Sequence, residues 1–162
     1  MRLYLIRHAE AAPLGSEGIS TDEARPLTAA GRAVCCPLAQ ALCKHGARLD
    51  RLFTSPLVRA RQTAEGLAQG WVGAPPPVVE TDLLVPGTKK RKLMELLHQA
   101  QGEAFGLVGH NPDLSELVGW LTGHKRLGVN MAKAGVACIE FDRKPRRGGG
   151  MLAWLITPEW AS

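Results

Sequence analysis

Leu3-Tyr4-Leu5-Ile6-Arg7-His8-Ala9-Glu10-Ala11 is the stretch on which the fold turns. Its first four residues are apolar without a break, and then an arginine and a histidine stand side by side. Such a run is the pattern of a strand covered on both faces, as in the sheet of an α/β protein. Ligands in open α/β sheets bind beyond the carboxyl ends of the strands. The pair Arg7-His8 therefore stands where an active site is expected.

The segments that follow alternate. Residues 12 to 27 are rich in turn formers: Pro13, Gly15, Ser16, Gly18, Ser20, Thr21, Asp22 and Pro26. A loop of this length in a compact domain is usually functional, and its position predicts that it covers the Arg7-His8 site. Thr28 can cap a helix over 28 to 45 that Pro37 must kink or split, with Gly46 closing it in the left-handed conformation. Leu49 to Thr54 is a short strand. Ser55-Pro56 then opens a helix over 57 to 69, with Ser55 expected as cap and Pro56 at the first helical position. Three prolines stiffen the loop from Gly70 to Pro77, and Val78-Val79 is a further strand. Lys90 to Gln101 has an amphipathic helical pattern, and Glu103 to Gly109 is a second buried strand, ending at His110-Asn111-Pro112. A helix over 113 to 122 follows. Gly135 to Asp142 and Met151 to Thr157 flank Gly148-Gly149-Gly150 and suggest a hairpin. The expectation is one domain over residues 1 to 162. It is a three-layer α/β/α sandwich with a mostly parallel mixed sheet and a C-terminal β-hairpin.

Composition narrows the function. The chain has 162 residues, 45% hydrophobic and 22% charged, ordinary values for a globular domain with a real core. No apolar run approaches the roughly 20 residues that span a bilayer, and no signal-peptide pattern opens the chain. A cytoplasmic protein without membrane association is expected. The net charge of +5 suits anionic substrates, and the 5% aromatic content leaves little stacking surface for nucleic acid, so no nucleic-acid partner is expected. The basic runs Lys89 to Lys92 and Arg143 to Arg147 concentrate part of that charge. Cys35, Cys36, Cys43 and Cys138 show no metal-ligand spacing with the histidines and are expected as reduced core thiols, with no metal site.

Two strand ends carry histidines, His8 and His110, and a helix start between them carries Arg59. Parallel neighbouring strands would bring these to one sheet edge together with Arg7. Two guanidiniums suit a tetrahedral dianion such as a phosphoryl group, and a helix start offers unpaired amides. Neutral imidazole is a competent nucleophile toward phosphorus, so one histidine can attack while the other donates to the phosphoryl oxygens.

These segments resemble, in order, the motifs of the histidine phosphatase superfamily, also called phosphoglycerate mutase-like. The four are Leu5-Ile6-Arg7-His8-Ala9-Glu10-Ala11, Arg25-Pro26-Leu27-Thr28-x-x-Gly31 with Asp22 three residues earlier, Ser55-Pro56-Leu57-x-Arg59-Ala60-x-Gln62-Thr63-Ala64, and Val108-Gly109-His110-Asn111-Pro112. The short chain and the Arg-His-Ala variant are most similar to SixA-type phosphohistidine phosphatases. The resemblance implies that His8 is the nucleophile, passing through a phosphohistidine intermediate. Arg7 and Arg59 would clamp the phosphoryl oxygens, and His110 would donate a hydrogen bond to them. No cofactor or metal is implied.

Many members of that family protonate the leaving group with a glutamate between the third and fourth motifs. Here Glu80 and Asp82 are the nearby acids, and neither stands in a recognisable acid motif. A missing acid matters for an ester, but less for a phosphoramidate, because imidazole accepts a proton with a pKa of about 6.5. The chain also lacks the large insertions that enclose sugar phosphates, which implies a shallow, open site. The expected activity is a protein phosphohistidine phosphatase in signal transduction, with a phosphohistidine-bearing domain as partner. The alternatives are a small-molecule phosphomonoesterase and a non-catalytic module that binds phosphate or a phosphoprotein. For chemistry at His8, its attacking nitrogen must be unprotonated, so its other nitrogen should donate to a backbone carbonyl.

Overall fold

Leu3, Leu5 and Ile6 are wholly buried in β1 (Arg2–Arg7), and alternation along the strand sends them into two different cores. In the computed structural model, which describes residues 1–16, 18–124 and 128–161, β1 lies inside a six-stranded sheet. The other strands are β2 (Arg51–Thr54), β3 (Val78–Glu80), β4 (Ala104–Gly109), β5 (Val136–Phe141) and β6 (Gly150–Ile156). Their order is β3-β2-β4-β1-β5-β6. β3, β2, β4 and β1 are parallel, β5 runs antiparallel to β1, and β6 turns back antiparallel to β5. The mostly parallel mixed sheet with a terminal hairpin is therefore as expected.

Helices cover both faces. Leu3 and Leu5 join Phe53, Phe105 and Leu107 against α4 (Lys90–Gln99) and α5 (Asp113–Thr122). Tyr4 and Ile6 join Leu52 and Val108 against α2 (Cys35–Lys44) and α3 (Val58–Gly70), with α1 (Ala29–Ala33) leading into α2. This double cover explains why the middle of β1, Leu3 to Ile6, and β4 are apolar at successive positions rather than at alternate ones. Each large apolar side chain so buried contributes about 1.5–3 kcal/mol. The Phe53 and Phe105 rings pack tilted, with centroids 5.9 Å apart.

The helix expected over 28 to 45 is two helices that meet at Val34. Pro37 cannot donate to the carbonyl four residues back, Ala33, and its ring crowds that carbonyl, so the break falls there. Thr28 caps α1 by accepting from the Gly31 N–H at 3.0 Å. Gly46, at φ +81°, closes α2, with its N–H on Cys43 and that of Ala47 on Leu42. Gly31 has a further role. A side chain there would run into the backbone carbonyl of Glu10, so only glycine lets α1 lie against the segment that follows β1.

Other boundaries move by small amounts. The second strand begins at Arg51 rather than Leu49, and α4 stops at Gln99. Asp82–Leu84 forms a short 3₁₀ turn in addition to the expected elements. Of the loop read over 12 to 27, residue 17 lies outside the described residues; the loop's ends are tied by a bridge between Ala11 and Leu27. Cys35 and Cys138 are buried thiols as expected, but Cys36 and Cys43 are half-exposed. No helix of the described residues is long and apolar enough to cross a membrane.

Candidate active site

The registers decide which residues meet. Arg7 on β1 pairs with Gly109 on β4, and Thr54 on β2 pairs with Val108. The residues that leave these strands, His8, Ser55 and His110, therefore emerge side by side at the carboxyl edge. The His8 and His110 rings lie 5.1 Å apart, tilted at 54°. Arg59 enters from the first turn of α3, and its Nε donates to His8 Nε2 at 3.2 Å. Three of the four residues singled out are nearly sealed from solvent: His8 is 9% exposed, Arg59 5% and His110 3%. The expected shallow, open site thus has a deep floor.

His8 has the arrangement its chemistry needs. Its Nδ1 lies 2.8 Å from the Ala9 carbonyl oxygen. A carbonyl only accepts, so Nδ1 carries the proton and Nε2 keeps its lone pair. The bond is local, and its geometry is held from outside. The Ala9 N–H donates to Thr63 Oγ1 at 3.0 Å, and that hydroxyl donates to the Arg59 carbonyl at 2.7 Å. The Ala134 N–H also holds the His8 carbonyl. Burial pushes the His8 pKa down to about 4; the charges of Arg59, Arg7 and Arg25 add to this, and the Ala9 bond opposes it. His110 is pushed down to about 3, by burial first and then by His8 and Arg59, with Asp22 opposing. Both rings are neutral near pH 7.

The arginines are fastened in different ways. Arg7 donates from Nη1 to the Met131 carbonyl at 2.8 Å, and its Nε is buried with no partner among the described residues. Asn111 Nδ2 reaches the same carbonyl at 3.3 Å. Arg59 donates from Nη1 to the Asp22 carbonyl at 2.6 Å and from Nη2 to Asp22 Oδ2 at 2.8 Å. Asp22 Oδ1 accepts from Arg25 Nη1 at 2.7 Å. The 12 to 27 loop thus does reach over the site, through Asp22. The Arg25 bond, aided by Arg59, holds the Asp22 carboxyl below its usual range.

Several expectations need correction. Ser55 does not cap α3, and Pro56 is not its first residue: Leu57 is the cap position and α3 starts at Val58. Ser55 Oγ is turned instead to His110 Nε2, at 2.9 Å, while also accepting from the Leu57 N–H at 3.3 Å. Two of the amides at the helix start are taken inside the protein, the Leu57 N–H by Ser55 Oγ and the Val58 N–H by the Glu23 carbonyl. Glu80 reaches toward Arg61 at 3.9 Å, and Asp82 is exposed. Among the described residues, neither carboxylate contacts His8, His110, Arg7 or Arg59. Sequence reasoning missed Asp22, Ser55, Thr63 and the Met131 carbonyl as site builders. Three of these lie within or beside the quoted motifs; the carbonyl left no signal at all.

A family model described as histidine phosphatase superfamily (branch 1) matches residues 3–84, more than half of the chain. The chain belongs to the histidine phosphatase superfamily. An uncharacterized protein of Picosynechococcus sp. is 38% identical over 99% of this chain and 98% of its own length. The solved structure of the protein histidine phosphatase SixA with tungstate matches with a TM-score of 0.81 at 23% identity, covering 98% of this chain and 97% of that one. A SixA from Agrobacterium tumefaciens, proposed to be a phosphohistidine phosphatase, matches at 0.78 and 25% identity, covering 97% of each chain. The family's matched span contains His8, Arg7 and Arg59, while His110 lies beyond it. Membership of a histidine phosphatase family supports a phosphatase, and the fold is that of the SixA neighbours.

Proposed function

We propose that this histidine phosphatase homologue hydrolyses protein phosphohistidine through a phosphorylated His8, without a metal or cofactor. The observation that carries the reading is the Nδ1–Ala9 carbonyl bond at 2.8 Å, which leaves His8 Nε2 unprotonated in a pocket lined by guanidiniums. His8 Nε2 attacks phosphorus, a new N–P bond forms, and the substrate N–P bond breaks in line. Arg7 and Arg59 balance the charge of the phosphoryl oxygens, and His110 donates one hydrogen bond. The departing imidazole takes a proton from solvent. Water then attacks the phosphorus of phospho-His8, releasing phosphate and the free ring.

The leaving group supports phosphohistidine over an ester. An alkoxide needs a general acid, an aid worth about 10²- to 10⁴-fold. The one carboxylate bonded into the cluster among the described residues is Asp22. Its two arginine partners keep it ionised, so it has no proton to give near pH 7. Imidazole, itself basic, departs without such help.

The test is alkaline-quenched labelling with a phosphohistidine-bearing protein, together with kcat/KM on that protein and on a panel of phosphate esters. Label on His8, loss of label and turnover in His8→Ala, and an advantage over esters of about 10²-fold or more are expected. Full turnover in His8→Ala overturns the mechanism. An ester turned over as fast as the phosphoprotein moves the conclusion to a small-molecule phosphomonoesterase, and phosphate binding with no turnover moves it to a binding module.

A further inference from the structure

We infer that Ser55 fixes the tautomer of His110, so that His110 offers its Nδ1–H to the phosphoryl group; this rests on the phosphatase reading above. Ser55 is completely buried and His110 nearly so. The Ser55 hydroxyl has one proton to give and lone pairs to accept with. It accepts from the Leu57 N–H at 3.3 Å and lies 2.9 Å from His110 Nε2. Among the described residues it has no other recorded partner. A neutral imidazole carries its single proton on one nitrogen or the other, which leaves two arrangements to weigh.

If His110 carried the proton on Nε2, it would donate to Ser55 Oγ, and the serine proton would be left buried with no acceptor. Nδ1 would then present a lone pair to any phosphoryl oxygen beside it, which repels. If the proton sits on Nδ1, the serine hydroxyl donates to Nε2 and accepts from Leu57, and every atom of that exchange is satisfied. One group then remains unpaired: Nδ1–H of His110, which is buried and has no partner among the described residues. Buried polar groups are rarely left unpaired in folded proteins, and a phosphoryl oxygen is a partner this N–H can take. The second arrangement therefore leaves one buried group unpaired, Nδ1–H, where the first leaves two, the serine proton and the Nδ1 lone pair. It also explains why Ser55 is drawn away from α3, whose cap position is left without a side-chain bond. Ser55 is thus a positioning residue, acting through His110 and not on substrate. The two histidines share one tautomer for opposite ends: His8 keeps a lone pair on Nε2 to attack, and His110 keeps a hydrogen on Nδ1 to donate.

Long-range proton–nitrogen correlation spectra of protein labelled with ¹⁵N-histidine read the tautomer directly, with His110 assigned by the signals lost in His110→Asn. The native protein is expected to show the Nδ1–H form. Ser55→Ala should shift His110 toward Nε2–H and lower kcat about tenfold, the scale of one neutral hydrogen bond, with KM nearly unchanged. His110→Asn, whose amide nitrogen falls near the place of Nδ1, should retain more activity than His110→Gln, whose amide falls near Nε2. This comparison stands even if Ser55→Ala does not fold. A native spectrum showing Nε2–H overturns the proposal, as does Ser55→Ala with tautomer and kcat both unchanged, or Gln outperforming Asn. A native Nδ1–H spectrum in a protein that turns over no phosphoryl compound upholds the tautomer assignment and rejects the phosphatase reading instead.

Discussion

Lowering the pH from 7 to 5 should strip about 3.5 kcal/mol from the folding stability of this protein, through His8 and His110. Folded, these rings titrate at about 4 and about 3; unfolded, each returns to about 6.5. Because the folded values are depressed, the unfolded chain takes up protons first. Their stabilising effect is complete above roughly pH 6.5 and is lost as the pH falls toward the folded values. At pH 5 both rings are still neutral in the folded protein and charged in the unfolded one, so each contributes a loss of about 1.5–2 kcal/mol relative to pH 7. That is a large part of the roughly 5–15 kcal/mol typical of a domain. Asp22, held below the usual carboxylate range, titrates beneath this window and does not blur it. Urea titrations followed by circular dichroism at pH 7, 6 and 5 measure the loss. His8→Asn should remove about half of the pH dependence, and His8→Asn with His110→Asn nearly all of it. A urea midpoint identical at pH 7 and 5, or a slope that survives in the double variant, refutes the claim that these rings are buried neutral. The same protonation would disable His8 as a nucleophile, so the acid limb of kcat/KM should fall with a midpoint near the folded value of about 4, not near 6.5.

Two further perturbations address how the site is held. Thr63→Val keeps the shape but leaves the buried Ala9 N–H without an acceptor; a stability loss of about 1–3 kcal/mol by urea titration is expected, with a lower kcat, and native kcat would show that Ala9 does not need this anchor. Gly31→Ala drives a methyl into the Glu10 carbonyl; a loss of about 3 kcal/mol, at the upper end for overpacking, is expected in thermal or urea unfolding, and native stability would show that α1 can move aside freely.

The split helix and the reassigned serine show where sequence reasoning stops. Pro37 announced a break, because the missing N–H and the ring clash are local facts. That the break falls at Val34 follows from the identity of the carbonyl four residues back. Ser55-Pro56 looked like a cap because local geometry favours serine before a helix. The competing partner, His110, is 55 residues away in the chain and became visible only when β2 and β4 were paired. Asp22 likewise stood in view beside Arg25, but its bond to Arg59 crosses 37 residues. The Met131 carbonyl that anchors Arg7 left no trace in the residue types, since every residue has a carbonyl.

By itself, the sequence determined the layers, the strand ends that carry Arg7, His8 and His110, and the helix start that carries Arg59. The apolar runs in β1 and β4, short and bounded by polar residues or turn formers, fit strands covered on both faces, and strand ends are where such runs stop. The tertiary structure alone decided what state those groups are in. Burial makes both imidazoles neutral, the turn to the Ala9 carbonyl assigns the His8 proton, and strand register brings Ser55 to His110. Protonation and tautomer depend on distances between groups far apart in the chain, and a linear order of residues carries no distances.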